Sequence, residues 1–116
     1  MRARVRRFAT GEEAISVISY GEVIDGALGA SEPAAALADV QELMRAFILV
    51  GVDAAVAETF GRLRNSLRRG GARLEDCDLL IAATALSVGL TLVTRNVRHF
   101  ERITGLSLLD PTAGSG

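Results

Sequence analysis

The stretch that most constrains the fold is DCDLLIAATALSVGLTLVTRN, which runs from Asp76 to Asn96. Residues 79–88 follow the acids Asp76 and Asp78 and are almost entirely apolar, and Gly89 separates them from a short apolar run at 90–94. A helix that lacks a polar face has to be enclosed by other elements. A continuous apolar strand is typical of a parallel sheet that is covered on both faces. The stretch therefore predicts a buried helix that packs against a parallel sheet.

The rest of the chain alternates strands with helices, which indicates an α/β fold built around a central parallel sheet. Residues 2–8 are predicted to be the end of a helix, because Val5 and Phe8 lie three residues apart. No repeat or linker is visible, so we expect one domain over residues 1–111 and a flexible tail at 112–116. The sequence predicts strands at 14–18, 48–52, 90–94 and 106–109, and helices at 20–28, 33–47, 54–69, 78–89 and 97–102.

Composition narrows the class of protein. The chain of 116 residues is 49% hydrophobic and 23% charged, as in soluble globular domains. No apolar run reaches the ~18 residues of a membrane span, and the arginine-rich N-terminus lacks the apolar core of a signal peptide. A single cysteine, Cys77, fits a reducing compartment, so a cytoplasmic location without membrane contact is expected.

The basic residues are all arginines, because the sequence contains no lysine. This excludes a P-loop lysine, a Schiff-base lysine and the lysine of a phosphorylated receiver domain. One histidine and the lack of a CxxC pair argue against a zinc site.

Three oxygen-bearing side chains are predicted to meet at one edge of the sheet. The helix at 78–89 spans about 16 Å and residues 90–96 span roughly 20 Å as a strand, so Asn96 returns close to Asp78. Glu22 follows the strand at 14–18 and lies at the same edge, where open parallel sheets bind ligands. Clusters of oxygen ligands suit Mg²⁺ or Mn²⁺, and such a cation assists phosphodiester cleavage.

Each of these residues also has a simpler interpretation. Asp76 or Asp78 would serve as the N-cap of the helix that follows. Glu22 would complete a capping box with Ser19 as the N-cap. The segment at 94–96 would be an ordinary turn. The argument for a site rests on the joint placement of these groups.

Other polar and aromatic residues are expected to have structural roles. His99 is predicted to be solvated, Cys77 to be a small buried hydrophobe, and Tyr20 and Phe100 to pack in the interior. The arginines between 62 and 73 are expected to form a solvated face, with the alternative that they steer an RNA backbone. These arginines are Arg62, Arg64, Arg68, Arg69 and Arg73.

Three segments taken together resemble the PIN-domain family, and most closely its VapC-type toxins of bacterial toxin–antitoxin pairs. They are ISVISYGE at 15–22, DLLIAATA at 78–85 and LVTRNVRHF at 92–100. The resemblance extends over essentially the whole chain. It implies an α/β/α sandwich with a central parallel sheet, Mg²⁺- or Mn²⁺-dependent cleavage of RNA, a VapB-like antitoxin as partner, and a homodimer.

The same resemblance implies roles for individual residues. Glu22 matches the second acid of the family's site and Asp78 the third. Asn96 falls where a fourth acid often lies, which lowers the charge of the metal site by one. Thr94 matches the hydroxyl beside it. The metal ligands expected on this basis are Asp78, Glu22 and Asn96.

One departure from the family concerns its first acid. Such proteins normally open with a central strand that ends in Asp-Thr or Asp-Ser, whereas no strand is predicted here before Ala14. The domain is therefore expected to be N-terminally incomplete, with exposed edges on the neighbouring strands and reduced activity. Either the gene start is placed too late, or the chain is a truncated member. In the second case it would be a non-catalytic scaffold that binds an antitoxin or a sister subunit.

Overall fold

The computed structural model describes residues 3–6, 13–71, 74–94 and 96–110, and it confirms the predicted α/β fold. In the described part of the chain, five strands form one sheet in the order β3-β2-β1-β4-β5. The strands are β1 (Ala3–Arg6), β2 (Glu13–Ser16), β3 (Ile48–Val50), β4 (Thr91–Thr94) and β5 (Leu108–Leu109). The helices are α1 (Val17–Leu28), α2 (Pro33–Met44), α3 (Ala54–Arg69), α4 (Asp76–Val88) and α5 (Val97–Phe100).

The centre of the sheet differs from the prediction. Residues 2–8 were expected to end a helix, but Ala3–Arg6 form a strand that pairs antiparallel with both β2 and β4. Val5 lies opposite Ala14 on one side and Leu92 on the other. The sheet is therefore mixed, and the facing edges of β2 and β4 are paired rather than exposed. The spacing of Val5 and Phe8 was misleading because unpaired backbone groups of two buried strands favour a third strand between them.

Helix α4 is enclosed as predicted. The five consecutive residues at 81–85 are all buried, and Leu79 is buried one turn earlier. Four of them pack with Leu92 of β4 and with Phe100 in the main hydrophobic cluster, namely Leu79, Ile81, Ala82 and Ala85. Each large apolar side chain buried in this way contributes about 1.5–3 kcal/mol, so α4 is the central element of the core.

Helix α1 starts earlier than predicted. The strand ends at Ser16, whose extended backbone and side chain form the N-cap, and its Oγ accepts the backbone N–H of Ser19 at 3.1 Å. The expected cap at Ser19 is therefore wrong, because the local hydrogen bond of Ser16 starts the helix within the apolar run. Helix α3 has a similar N-cap, because Asp53 Oδ1 accepts the N–H of Val56 at 2.9 Å.

Some predictions fall outside the described residues. These are the tail at 112–116, residues 2, 7 and 8 of the helix end expected at 2–8, and the position of Arg73. The domain limit at residue 111 stays a prediction. Within the described ranges, none of the helices has the length and apolar character needed to cross a bilayer.

Gly89 ends α4 in a left-handed conformation, with φ 68° and ψ 35°, and its backbone N–H donates to the carbonyls of the last turn. Replacing Gly89 with alanine should lower the free energy of unfolding by about 1 kcal/mol, because a Cβ disfavours this conformation. A suitable control is Gly61→Ala in the interior of α3, where an added Cβ meets nothing within 4 Å. That change should raise stability by about 0.5–1 kcal/mol. Urea denaturation measures both, and equal effects would contradict the assignment.

Candidate functional site

Helices α1 and α4 both begin at one edge of the sheet. Strands β2 and β4 are both antiparallel to β1 and thus parallel to each other, so Ser16 and Thr94 end them at the same edge. Helix α1 begins directly after Ser16. Helix α4 precedes β4 and runs back along it, which brings the N-terminus of α4 to the end of β4. The contact between Asp78 and His99, which follows β4, confirms this placement.

Asp78 is the third residue of α4 and is hydrogen-bonded to His99. The distance from His99 Nε2 to Asp78 Oδ2 is 2.8 Å, and the two side chains are 28% and 18% exposed. A position in the first turn stabilises a carboxylate through the helix dipole. Asp78 is not the N-cap, because Glu75 holds that position without a side-chain hydrogen bond. His99 was expected to be solvated, and this prediction is wrong because α5 directs the ring at Asp78.

A hydrogen bond joins Thr94 to Asn96, between β4 and α5. The buried Thr94 Oγ1 accepts the backbone N–H of Asn96 at 3.1 Å. Asn96 is the N-cap residue of α5, makes no side-chain capping bond and is exposed. The turn expected at 94–96 includes Arg95, which lies outside the described residues, so it stays a prediction. The bond holds Asn96 at the edge with its side-chain amide open to solvent.

Glu22 is the sixth residue of α1 and is half-buried. Because the helix starts at Val17, the third position belongs to Ser19, and the capping-box interpretation of Glu22 is wrong. Six residues of helix place Glu22 roughly 9 Å along the axis from Ser16. Glu22 therefore lies in the second turn of the helix that begins at the edge.

The two residues before Asp78, Asp76 and Cys77, are both exposed. Asp76 accepts a hydrogen bond from Arg64 Nε at 3.2 Å, and both side chains are at least half exposed. Asp76 is therefore an exposed ion-pair partner rather than an N-cap. Cys77 was predicted to be a buried hydrophobe, and this is wrong, because its place at the start of α4 leaves it exposed.

The arginines of α3 form the solvated face that was predicted. Arg62 pairs with Glu58 one turn away at 2.8 Å, in an exposed pair of the kind that adds little stability. Arg68 and Arg69 are exposed at the C-terminal end of the helix. A role of this face toward RNA stays a prediction.

Two hydrogen bonds at this edge involve predicted site residues. One joins Thr94 to Asn96, and the other joins Asp78 to His99, which sequence reasoning had not assigned to the site. The three-residue spacing from Asn96 to His99 was a usable signal, because it places both on one face of a helix. In the part of the chain that the structure describes, no three His, Cys, Asp or Glu side chains are grouped so that they could hold one metal ion.

Asp78, Glu22 and Asn96 carry oxygen atoms of the kind that a hard cation such as Mg²⁺ binds. Mg²⁺ is commonly held by one or two carboxylates while it keeps several waters. Asp78 engages Oδ2 with His99, and among the described residues Oδ1 has no hydrogen bond or ion pair. The side chain of Glu22 carries a carboxylate and that of Asn96 an amide oxygen. These are ligand types that Mg²⁺ accepts, but the described residues do not group three His, Cys, Asp or Glu side chains around one point.

The sequence matches the PIN domain family over residues 2–106. This chain is a member of the PIN-domain family. It is 36% identical over 100 residues to the tRNA(fMet)-specific endonuclease VapC of Shigella flexneri, a match that covers 86% of this chain and 76% of that protein. It is 37% identical over 92 residues to ribonuclease VapC4 of Mycobacterium tuberculosis, covering 78% of this chain and 71% of the relative.

Solved structures of VapBC complexes share the fold of this PIN domain. The DNA-bound VapBC of Salmonella typhimurium superposes with a TM-score of 0.81 at 36% identity, covering 84% of this chain and 74% of that one. VapBC-1 of nontypeable Haemophilus influenzae gives a TM-score of 0.80 at 31% identity, covering 84% and 72%. The VapC-type resemblance found in the sequence is thus confirmed by relatives and by fold.

Thr94→Val should expose the role of the threonine hydroxyl. Valine keeps the shape of threonine but cannot accept the N–H of Asn96, so the amide of Asn96 should exchange with solvent faster. Thr94→Ser keeps the acceptor and should leave that amide protected. Hydrogen exchange followed by NMR distinguishes the two variants. Equal protection of Asn96 in both would show that the bond does not hold Asn96.

Proposed function

We propose that this PIN-domain protein is a metal-dependent endoribonuclease of the VapC type that cleaves RNA phosphodiester bonds. The observation that carries the proposal is the position of Asp78, in the first turn of an enclosed helix and at the edge where β4 ends. The family and the curated VapC ribonucleases at 36–37% identity support the same activity.

The residues that would hold Mg²⁺ or Mn²⁺ are Asp78, Glu22 and Asn96. Asp78 offers Oδ1, Glu22 its carboxylate and Asn96 its amide oxygen. When bound, such a cation polarises a phosphoryl oxygen and lowers the pKa of water. With at most two protein carboxylates in the set, we expect weak cation binding and slow cleavage by the 116-residue chain.

The protein groups have separate tasks in this mechanism. Glu22 accepts a hydrogen bond from the water that attacks phosphorus and so orients it. The side-chain amide of Asn96 is open to solvent just after β4. Its N–H donates to a phosphate oxygen of the RNA. Thr94 keeps Asn96 in place through its hydroxyl. Exposed Arg68 and Arg69 are available to attract the RNA backbone, with an affinity that falls as salt rises.

Asp78→Asn should abolish cleavage without unfolding the protein. The substitution keeps the size of the side chain and removes the charge, so we expect at least a ~100-fold loss of rate, as for removal of a group that holds transition-state charge. The assay uses tRNA(fMet), the RNA in the name of the Shigella relative, in the presence of either Mn²⁺ or EDTA. Cleavage is followed on a denaturing gel.

The matched control is Asp76→Asn, two residues earlier in the same turn. Asp76 is exposed and its pair with Arg64 is a surface pair, so the variant should cleave at nearly the wild-type rate. If Asp78→Asn and wild type cleave equally in Mn²⁺, the site assignment is wrong. Full cleavage in EDTA would refute the dependence on a metal.

A second candidate function is a PIN scaffold that binds a partner without chemistry. The observation that favours it is that the described residues contain no three-acid group. It predicts no metal-dependent cleavage by the wild type, nor by Asn96→Asp, which adds a carboxylate at the edge. Cleavage that appears or increases in Asn96→Asp would favour the nuclease.

We also propose a VapB-like antitoxin as partner and a homodimer as the toxin assembly. The solved relatives are VapBC complexes, and this chain has large apolar side chains on its surface that a partner could cover. They include Leu28, Leu43, Ile48 and Leu49.

Light scattering tests the assembly. The purified chain should have twice the 12.2 kDa mass of one copy, and addition of the cognate antitoxin should raise that mass and suppress tRNA cleavage. A monomer in the absence of antitoxin would contradict the homodimer. Unchanged mass and cleavage after addition would contradict the antitoxin.

A further inference from the structure

The hydrogen bond between His99 and Asp78 has no role in the proposed mechanism. The bond joins α5 to α4 over 2.8 Å, and both side chains have limited exposure. Asp78 is one of the candidate metal ligands. A carboxylate accepts hydrogen bonds, so the Nε2–H of His99 donates to Oδ2 of Asp78.

The fold holds the imidazole ring from two sides. Helix α5 starts after Asn96, which Thr94 holds, and it is anchored by Phe100, which is buried in the core. The ring of His99 packs edge-on against Phe100, with centroids 5.2 Å apart and an interplanar angle of 86°. An edge-to-face aromatic contact of this geometry is favourable. His99 therefore offers its N–H from a fixed position.

A fixed donor determines which oxygen of Asp78 is available. With Oδ2 engaged by His99, the carboxylate cannot rotate freely and Oδ1 is left for a ligand. In metal sites, a hydrogen bond to the ligating carboxylate sets its orientation, and removing that partner typically lowers metal affinity 10–100-fold.

We propose that His99 is a positioning residue, which orients Asp78 so that Oδ1 faces the divalent cation. The proposal rests on the proposed function, because it assumes that Asp78 is a metal ligand. The competing role is purely structural: the same bond would only tie α5 to α4. A structural role predicts a change in stability without a specific change in cation binding.

Binding of Mn²⁺ separates these roles without measuring cleavage. The concentration of free Mn²⁺ is followed by electron paramagnetic resonance while the purified 116-residue chain is titrated. His99→Ala should weaken binding ~10–100-fold. His99→Gln, whose side-chain amide keeps an N–H donor at similar reach, should restore affinity to within about threefold of wild type. Arg98→Ala, an exposed neighbour on α5, should bind like wild type.

The outcomes distinguish this inference from the proposed function. Saturable Mn²⁺ binding that is lost in Asp78→Asn but unchanged in His99→Ala would overturn the inference alone. Failure of the wild type to bind Mn²⁺ would overturn the metal site and the inference with it. Equal loss of affinity in His99→Ala and His99→Gln would also overturn it, because donation by the side chain would not be the cause.

A second measurement covers the case in which His99→Ala does not fold. The ring nitrogens of His99 are observed by NMR in the wild-type chain during titration with diamagnetic Mg²⁺. The Nε2 resonance should shift with the same saturation curve as the side chain of Asp78, and it should not shift in Asp78→Asn. A His99 resonance that does not respond while Asp78 responds would overturn the proposal.

Discussion

The burial of α4 on all sides is the constraint on which the rest of this PIN domain depends. Residues 81–85 have no exposed face, so α4 cannot lie on the surface and the other elements must surround it. Its charged residues, Asp76 and Asp78, are confined to the first turn. The hydrophobic effect therefore fixes the body of the helix, and its acidic end is left at the edge of the sheet. The place of the candidate site follows from the core.

At that edge the positions of individual side chains depend on short-range hydrogen bonds. Ser16 starts α1 by accepting the N–H of Ser19, and this moves Glu22 from the first turn to the second. Thr94 holds the start of α5 by accepting the N–H of Asn96. As a result His99, rather than solvent, meets Asp78. Each bond is worth only about 1 kcal/mol, yet together they determine which groups face each other across the edge.

The central strand shows how tertiary structure overrides a local pattern. Ala3–Arg6 is a short segment with a helix-like spacing of Val5 and Phe8, and yet it pairs with β2 and β4 over its length. Two strands that are covered by helices cannot leave a row of N–H and C=O groups without partners. A segment near them gains more from supplying these bonds than from its own weak helical preference. The result is one antiparallel strand within four that run parallel.

The sequence by itself determined the α/β class, the enclosed helix α4 and the family, because these follow from long apolar patterns and from motifs in a fixed order. Asp78, Glu22, Asn96 and Thr94 were named from the same patterns, and the function of that set stays a proposal. The tertiary structure alone decided the central strand at 3–6, the earlier start of α1 and the contact of His99 with Asp78. These features join residues that are distant in sequence or depend on competition between nearby hydrogen bonds. Local periodicity carries no information about either.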